Sequence, residues 1–192
     1  MKKGNQVPII HIIGLPGAGK TTLARRLSKV LKVPILRIGC YRARFPQTSI
    51  GEADAWVALF RELSRRRWKN CILETTGLNC REAFLKAALP FGQIFTVKLE
   101  ASRKILKQRI RKKKKRDQGG QWLYGAEYRN KYEFVRKLFK HFCKVPADCY
   151  IDTNRLTEVA VFRKAFKEIN SIEEIISDEQ KTKGRTGPFT HR

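Results

Sequence analysis

Gly14-Leu-Pro-Gly-Ala-Gly-Lys-Thr21 has the spacing G-x-x-x-x-G-K-[ST], and its parts answer to one task, the holding of a polyphosphate. Gly14, Gly17 and Gly19 let the backbone curl so that successive N–H groups point inward at phosphate oxygens. Leu15, Pro16 and Ala18 complete the loop. Lys20 is placed to bridge β- and γ-phosphates, Thr21 to offer a hydroxyl to a divalent cation, and Thr22 follows in the opening turn of a helix. The flanks agree. Pro8-Ile-Ile-His-Ile-Ile13 is an apolar, β-branched run suited to a buried strand. Leu23, Leu27, Val30 and Leu31 recur at helical spacing after the loop. Strand, loop and helix stand in the order the motif requires.

Outward from this unit, strand-like runs recur at 8–13, 34–39, 70–76, 93–99 and 147–152, with helical patterns at 20–31, 51–67, 80–89, 102–116, 125–143 and 157–170. Such alternation predicts an α/β fold with a parallel sheet covered on both faces. Ligands of such sheets bind beyond the carboxyl ends of the strands. Trp56, Val57, Phe60 and Leu63 form an apolar stripe on 51–67. Tyr128, Tyr132, Val135, Leu138, Phe139 and Phe142 form another on 125–143. Residues 1–176 read as one unit, and the polar stretch 177–192, with Gly184, Gly187 and Pro188, reads as a disordered tail.

The chain has 192 residues, and 42 Lys and Arg against 17 Asp and Glu give a formal charge of +25. A mononucleotide does not demand such an excess; a polyanion does, nucleic acid first and an anionic membrane surface second. Ten of the fourteen residues Arg103 to Arg116 are basic and none is acidic. The run leads into Asp117–Gly125, where Gly119 and Gly120 mark a flexible break. This segment, about 103–125, is expected to close over the nucleotide as a basic lid and to exclude water. Trp122 and Tyr124 offer stacking faces beside the charge. A basic run of this density also resembles a nuclear or anionic-lipid signal.

Five cysteines, Cys40, Cys71, Cys80, Cys143 and Cys149, form no C-x-x-C pair and are odd in number, so reduced thiols and a cytoplasmic setting are expected. Cys71 and Cys149 lie in apolar runs and are expected in the core. No stretch approaches the roughly 20 apolar residues of a membrane helix, and the N-terminal apolar run is too short for a secretory signal.

Further candidates lie at the other strand ends. Glu74, closing Cys71-Ile-Leu-Glu, either orients Mg²⁺ through water or positions an attacking group. Thr75 or Thr76 is a candidate donor to phosphate. Arg42 and Arg44 are candidates for an anionic acceptor, because guanidinium forks match phosphate oxygens. Glu52, Asp54 and Glu74 are alternative bases for an acceptor hydroxyl, and Glu52 or Asp54 is equally suited to cap a helix. Asp152 and Asn154, after the last strand, are placed to contact a nucleotide base.

Gly14–Thr21, Ile72-Leu-Glu-Thr-Thr-Gly77, the Arg109/Arg111 arm and Ile151-Asp-Thr-Asn154 together resemble the small P-loop kinases. That group includes nucleoside monophosphate kinase-like, shikimate and gluconate kinase-like, zeta-toxin-like and polynucleotide kinase-like phosphotransferases. The resemblance covers about residues 7–170. It implies a three-layer fold with a five-stranded parallel sheet ordered 2-3-1-4-5, ATP and Mg²⁺ as cofactors, and a lid whose Arg109 and Arg111 neutralise the moving phosphoryl group. The group usually places an acid just after strand two. Here that stretch reads Ile38-Gly-Cys-Tyr-Arg42, with Cys40 near the expected acid, and Glu74 replaces the commoner aspartate.

Two other P-loop classes fit less well. Glu74–Gly77 and Asn130-Lys-Tyr-Glu133 miss the Asp-x-x-G and Asn-Lys-x-Asp of a GTPase, and the second lies in a helical pattern. A multimeric AAA+ motor needs a helical lid domain for which 192 residues leave no room. The expected activity is ATP- and Mg²⁺-dependent phosphoryl transfer, with a nucleic acid (a 5′-hydroxyl end or a tRNA) as acceptor. A small-molecule or nucleotide kinase is the first alternative, and a nucleotide-gated nucleic-acid binder with little transfer is the second.

Overall fold

The computed structural model describes residues 8–78, 94–116 and 130–183, with backbone alone at 113–116 and 172–183. The expected helix 80–89, Cys80, the segment Asp117–Gly125 with Trp122 and Tyr124, Tyr128, and residues 184–192 lie outside them.

Strand β1 (Ile9–Gly14) is buried at every position, as a central parallel strand must be. It pairs in parallel with β3 (Ile72–Glu74) on one side and β4 (Ile94–Glu100) on the other. Strands β2 (Ile35–Arg37) and β5 (Cys149–Asp152) form the edges, giving the order β2-β3-β1-β4-β5. The period-two alternation of side chains sorts apolar residues into two layers. Ile10, Ile12 and Ile72 join one core; Ile9, Cys71 and Leu73 join the other.

The first core is covered by α1 (Lys20–Leu31), α4 (Arg103–Arg116), α5 (Lys131–Cys143) and α6 (Glu158–Lys183) through Leu23, Leu27, Leu106, Ile110, Phe134, Phe142, Ala165 and Ile169. The second is covered by α3 (Ser49–Arg65), with Trp56, Leu59 and Leu63 fully buried, each side chain worth ~1.5–3 kcal/mol of transfer energy. Leu59, not Val57, completes that stripe; Val57 is 46 % exposed.

Most boundaries shift by one to three residues, as in β3, β5 and α3, and three differences have a visible cause or consequence. Strand two stops at Arg37, and Ile38–Arg42 coil into the short helix α2, which carries Ile38 into the α3-side core. Helix α5 starts at Lys131 because Asn130 caps it, its side-chain oxygen accepting from the amides of Tyr132 and Glu133 at 3.0 and 3.1 Å. Asn130 is thus an N-cap, not a reader of guanine. Helix α6 continues to Lys183, beyond residue 176.

Candidate functional site at the carboxyl edge of the sheet

The phosphate loop joins β1 to α1 directly. Gly17 (φ +88°) and Gly19 (φ +100°) take the left-handed conformation that only glycine adopts without strain. A Cβ at Gly17 would also meet the Leu106 carbonyl oxygen at 2.9 Å, so the loop is wedged against α4. The start of α1 carries no side-chain cap and no acid in its first turn. By contrast α3 and α5 have both a cap and an acid. The positive end of α1 is therefore left to an outside anion. Lys20 is nearly buried, and its ammonium donates to the carbonyl oxygens of Gly14 (2.7 Å) and Leu15 (3.3 Å), which pins the side chain across the loop.

Next to it, the Thr21 hydroxyl donates to Glu74 Oε1 at 2.7 Å. This bond commits the hydroxyl proton and leaves the oxygen lone pairs for a cation. The donor set of Thr21 and Glu74 thus fits Mg²⁺, a hard ion that prefers oxygen ligands. The second Glu74 oxygen lies 3.0 Å from Arg37 Nε. Arg37 and Glu74 are register partners across β2 and β3, which places both at the carboxyl edge. Behind them, His11 Nε2 and Thr75 Oγ1 share a buried hydrogen bond of 2.8 Å. Thr76 is buried at the same strand end.

On the opposite side, Arg109 of α4 links the loop to the end of β5. Its guanidinium donates to Thr153 Oγ1 at 2.9 Å and to the Thr153 carbonyl, and reaches the Gly17 carbonyl at 3.4 Å. Asp152 is exposed. The Asn154 amide donates to it at 2.8 Å, and this backbone hydrogen bond holds its carboxyl below the ordinary carboxylate value. The Asn154 side chain accepts from the Ser102 amide at 2.8 Å. Asp152 and Asn154 also line a cavity of about 250 Å³ with Leu15, Leu106, Phe139 and Phe142. Arg111 is exposed on α4.

The wall over β2 is built by α2 and α3. Arg42 and Glu52 form a bidentate pair at 2.7 and 2.6 Å, and Trp56 Nε1 donates to the same carboxylate at 2.8 Å. Glu52 is therefore held by two neighbours. Asp54 is exposed on α3, and Arg44 is exposed with its guanidinium 5.2 Å from the Tyr41 ring centre. The structure groups Lys20, Thr21 and Glu74 in one cluster, Arg109 with Thr153 in a second, and Arg42 with Glu52 in a third. Sequence reasoning missed Arg37 and the His11–Thr75 pair. Arg37 carried one signal, a charge closing an apolar strand.

Arg103, Lys104, Lys107, Arg111 and Lys112 on α4, and Arg136, Lys137, Lys140 and Lys144 on and just after α5, are exposed on two helices that pack together. Glu133, paired with Lys137 at 3.1 Å, is the one acid of α5, and α4 has none. Among the described residues no helix is long and apolar enough to cross a membrane.

Residues 9–122 match the protein family described as AAA domain. No curated protein matches the chain. Among solved structures, a gluconokinase from Sinorhizobium meliloti 1021 is 14 % identical, with TM-score 0.61, covering 90 % of this chain and 97 % of its own. Shikimate kinase from Acinetobacter baumannii in complex with shikimate is 23 % identical, with TM-score 0.62 and coverages of 86 % and 94 %. The Pnkp1/Rnl/Hen1 RNA repair complex contains a chain 13 % identical, with TM-score 0.51, covering 71 % of this chain and 47 % of that one. At these identities the likeness is one of fold, and that fold is the P-loop kinase fold.

Proposed function

We propose, from the premise that the chain belongs to the AAA-domain family, that it is an ATP- and Mg²⁺-dependent phosphotransferase acting on a nucleic-acid acceptor, a 5′-hydroxyl end or a tRNA. The observation that carries the reading is the Thr21–Glu74 hydrogen bond beside Lys20 at the uncapped head of α1. Lys20 and the loop amides hold the β- and γ-phosphates. Bound there, Mg²⁺ would supply charge neutralisation on the phosphates, with Thr21 as ligand and Glu74 ordering its water shell. The acceptor oxygen forms a bond to the γ-phosphorus, the bond to the β–γ bridging oxygen breaks, and the acceptor proton passes to a carboxylate or to solvent. Among candidate carboxylates, Asp54 is open, while Glu52 carries Arg42 and Trp56 and Glu74 carries Thr21 and Arg37. Arg109 and Arg111 enter on the lid side and offset the charge of the phosphoryl group.

The basic face of α4 and α5 supports the nucleic-acid acceptor, since a small metabolite does not use charge spread over two helices. A small-molecule acceptor is the second reading, supported by the names of the gluconokinase and shikimate kinase neighbours. The test is γ-labelled ATP incubated with 5′-hydroxyl RNA, DNA, tRNA and hydroxylated metabolites. Label on a strand end supports the first reading, label on a metabolite the second, and free phosphate alone neither. Lys20→Ala is expected to lower transfer by at least about a hundredfold with the fold intact by circular dichroism. Unchanged turnover would refute the assignment.

A further inference from the structure

Arg37 ends β2 with a side chain that serves two environments. Its Nε is buried against Glu74 Oε2, at 3.0 Å, while the side chain as a whole is 38 % exposed. Among the described residues its two terminal nitrogens make no hydrogen bond or ion pair, and they are not among the buried atoms. Its neighbour Arg42 is the opposite case. That side chain is 10 % exposed, with Nε and one terminal nitrogen bonded to Glu52. Arg37, just before α2, keeps its terminal nitrogens open, whereas Arg42, at the end of α2, spends its fork on Glu52.

We propose that the terminal nitrogens of Arg37 receive a phosphate of the acceptor strand, the phosphodiester nearest the hydroxyl that takes the phosphoryl group. The inference rests on the phosphotransferase reading and names the group by which the acceptor is held. Three observations carry it. Arg37 is the register partner of Glu74, and Glu74 holds Thr21 of the phosphate loop, so the fork stands one side chain from the transfer site on the β2 side. Glu74 holds the guanidinium by an ion-pair contact at Nε, so part of the side chain's conformational entropy is already lost before the other edge binds. Lys20, Arg37 and the head of α1 face one carboxylate, Glu74, so the site keeps a positive excess that an oxyanion at the exposed edge of Arg37 would offset.

The experiment is a double-mutant cycle on binding. Wild type and Arg37→Gln are titrated, in the presence of Mg²⁺ and a non-hydrolysable ATP analogue, with a 5′-hydroxyl oligonucleotide and with the same strand carrying a neutral methylphosphonate at its first linkage. The wild type is expected to lose about tenfold in affinity on neutralisation of that phosphate, and Arg37→Gln less than about twofold. Arg37→Lys keeps a cation beside Glu74 but not the fork, and is expected to fall between the two. Calorimetry of the nucleotide analogue alone reports that each variant keeps a folded phosphate loop. Equal losses in wild type and Arg37→Gln overturn the proposal, as does a wild type that binds neither strand. If the cycle appears as expected but no label reaches the strand from γ-labelled ATP, Arg37 stands as a phosphate receptor and the phosphotransferase reading falls.

Discussion

Cys71 and Cys149 illustrate how a single side chain reports its surroundings. Burial pushes the Cys71 thiol up to about 12 and the Cys149 thiol up to about 11. Both are protonated when folded at neutral pH, whereas the unfolded thiols ionise near 9. The stability from these buried neutral thiols is therefore complete below about pH 9. It declines above that value until the folded thiols ionise in turn. Each raised thiol contributes a slope of about 1.4 kcal/mol per pH unit inside its window. Urea unfolding at pH 7.5 and 10.5 checks this: Cys71→Ala should lose less stability between the two than the wild type does. Equal losses would mean that Cys71 does not sense burial. The same local logic made both cysteines legible, because each sits in a short apolar run. The phosphate loop was legible for a stronger reason. Its residues are contiguous, and phosphate binding imposes both their identity and their spacing. Arg37 and the Arg42–Glu52 pair were not. Their meaning comes from β2–β3 register and from a bond across ten residues of chain, and neither distance is written in a local pattern.

Elements were read from periodicity, and the errors fall where tertiary contact overrides it. A short apolar run such as Pro34–Gly39 does not say where strand gives way to helix. The α3-side core decides it by taking Ile38. Val57 fits the helical stripe by spacing, yet the sheet is met by Leu59. Glycines mark a further limit. Gly51 lies in the first turn of α3 with a helical backbone, so its need for glycine is invisible in the sequence. A Cβ there would lie 2.0 Å from the Pro46 carbonyl oxygen, a backbone atom that cannot step aside. Gly51→Ala must therefore open the Pro46–Thr48 turn that leads into the Thr48 cap. The expected loss is at least about 2 kcal/mol in chemical denaturation, the range of overpacked sites. The turn positions α3, and with it the Glu52 carboxylate that holds Arg42. A neutral Gly51→Ala would mean that the turn yields freely.

At the scale of the whole chain, the excess of 42 cations over 17 anions sets two effects in opposition. Like charges on a compact body repel, and this repulsion weakens as salt shortens the screening length from about 30 Å at 10 mM to about 10 Å at 100 mM. The melting temperature of the free protein is therefore expected to rise over that range. Strand binding must move the other way. Each phosphate neutralised on a single strand adds roughly 0.7 to the slope of log K against log salt, because condensed counterions are released. A strand lying across α4 and α5 and ending at Arg37 would meet several cations, so a slope magnitude above about 2 is expected. The opposition separates a binding surface from a merely soluble one. Charge that serves only to keep the chain dispersed gives the gain in melting temperature without a steep loss of affinity. Charge that serves an acceptor strand gives both, and the strand should raise the melting temperature most at low salt, where it replaces the missing counterions. Thermal scans with and without a 5′-hydroxyl oligonucleotide, at 10 and 100 mM salt, decide between the two. A melting temperature that the strand leaves unmoved at 10 mM would detach the basic face from the phosphate loop beside it.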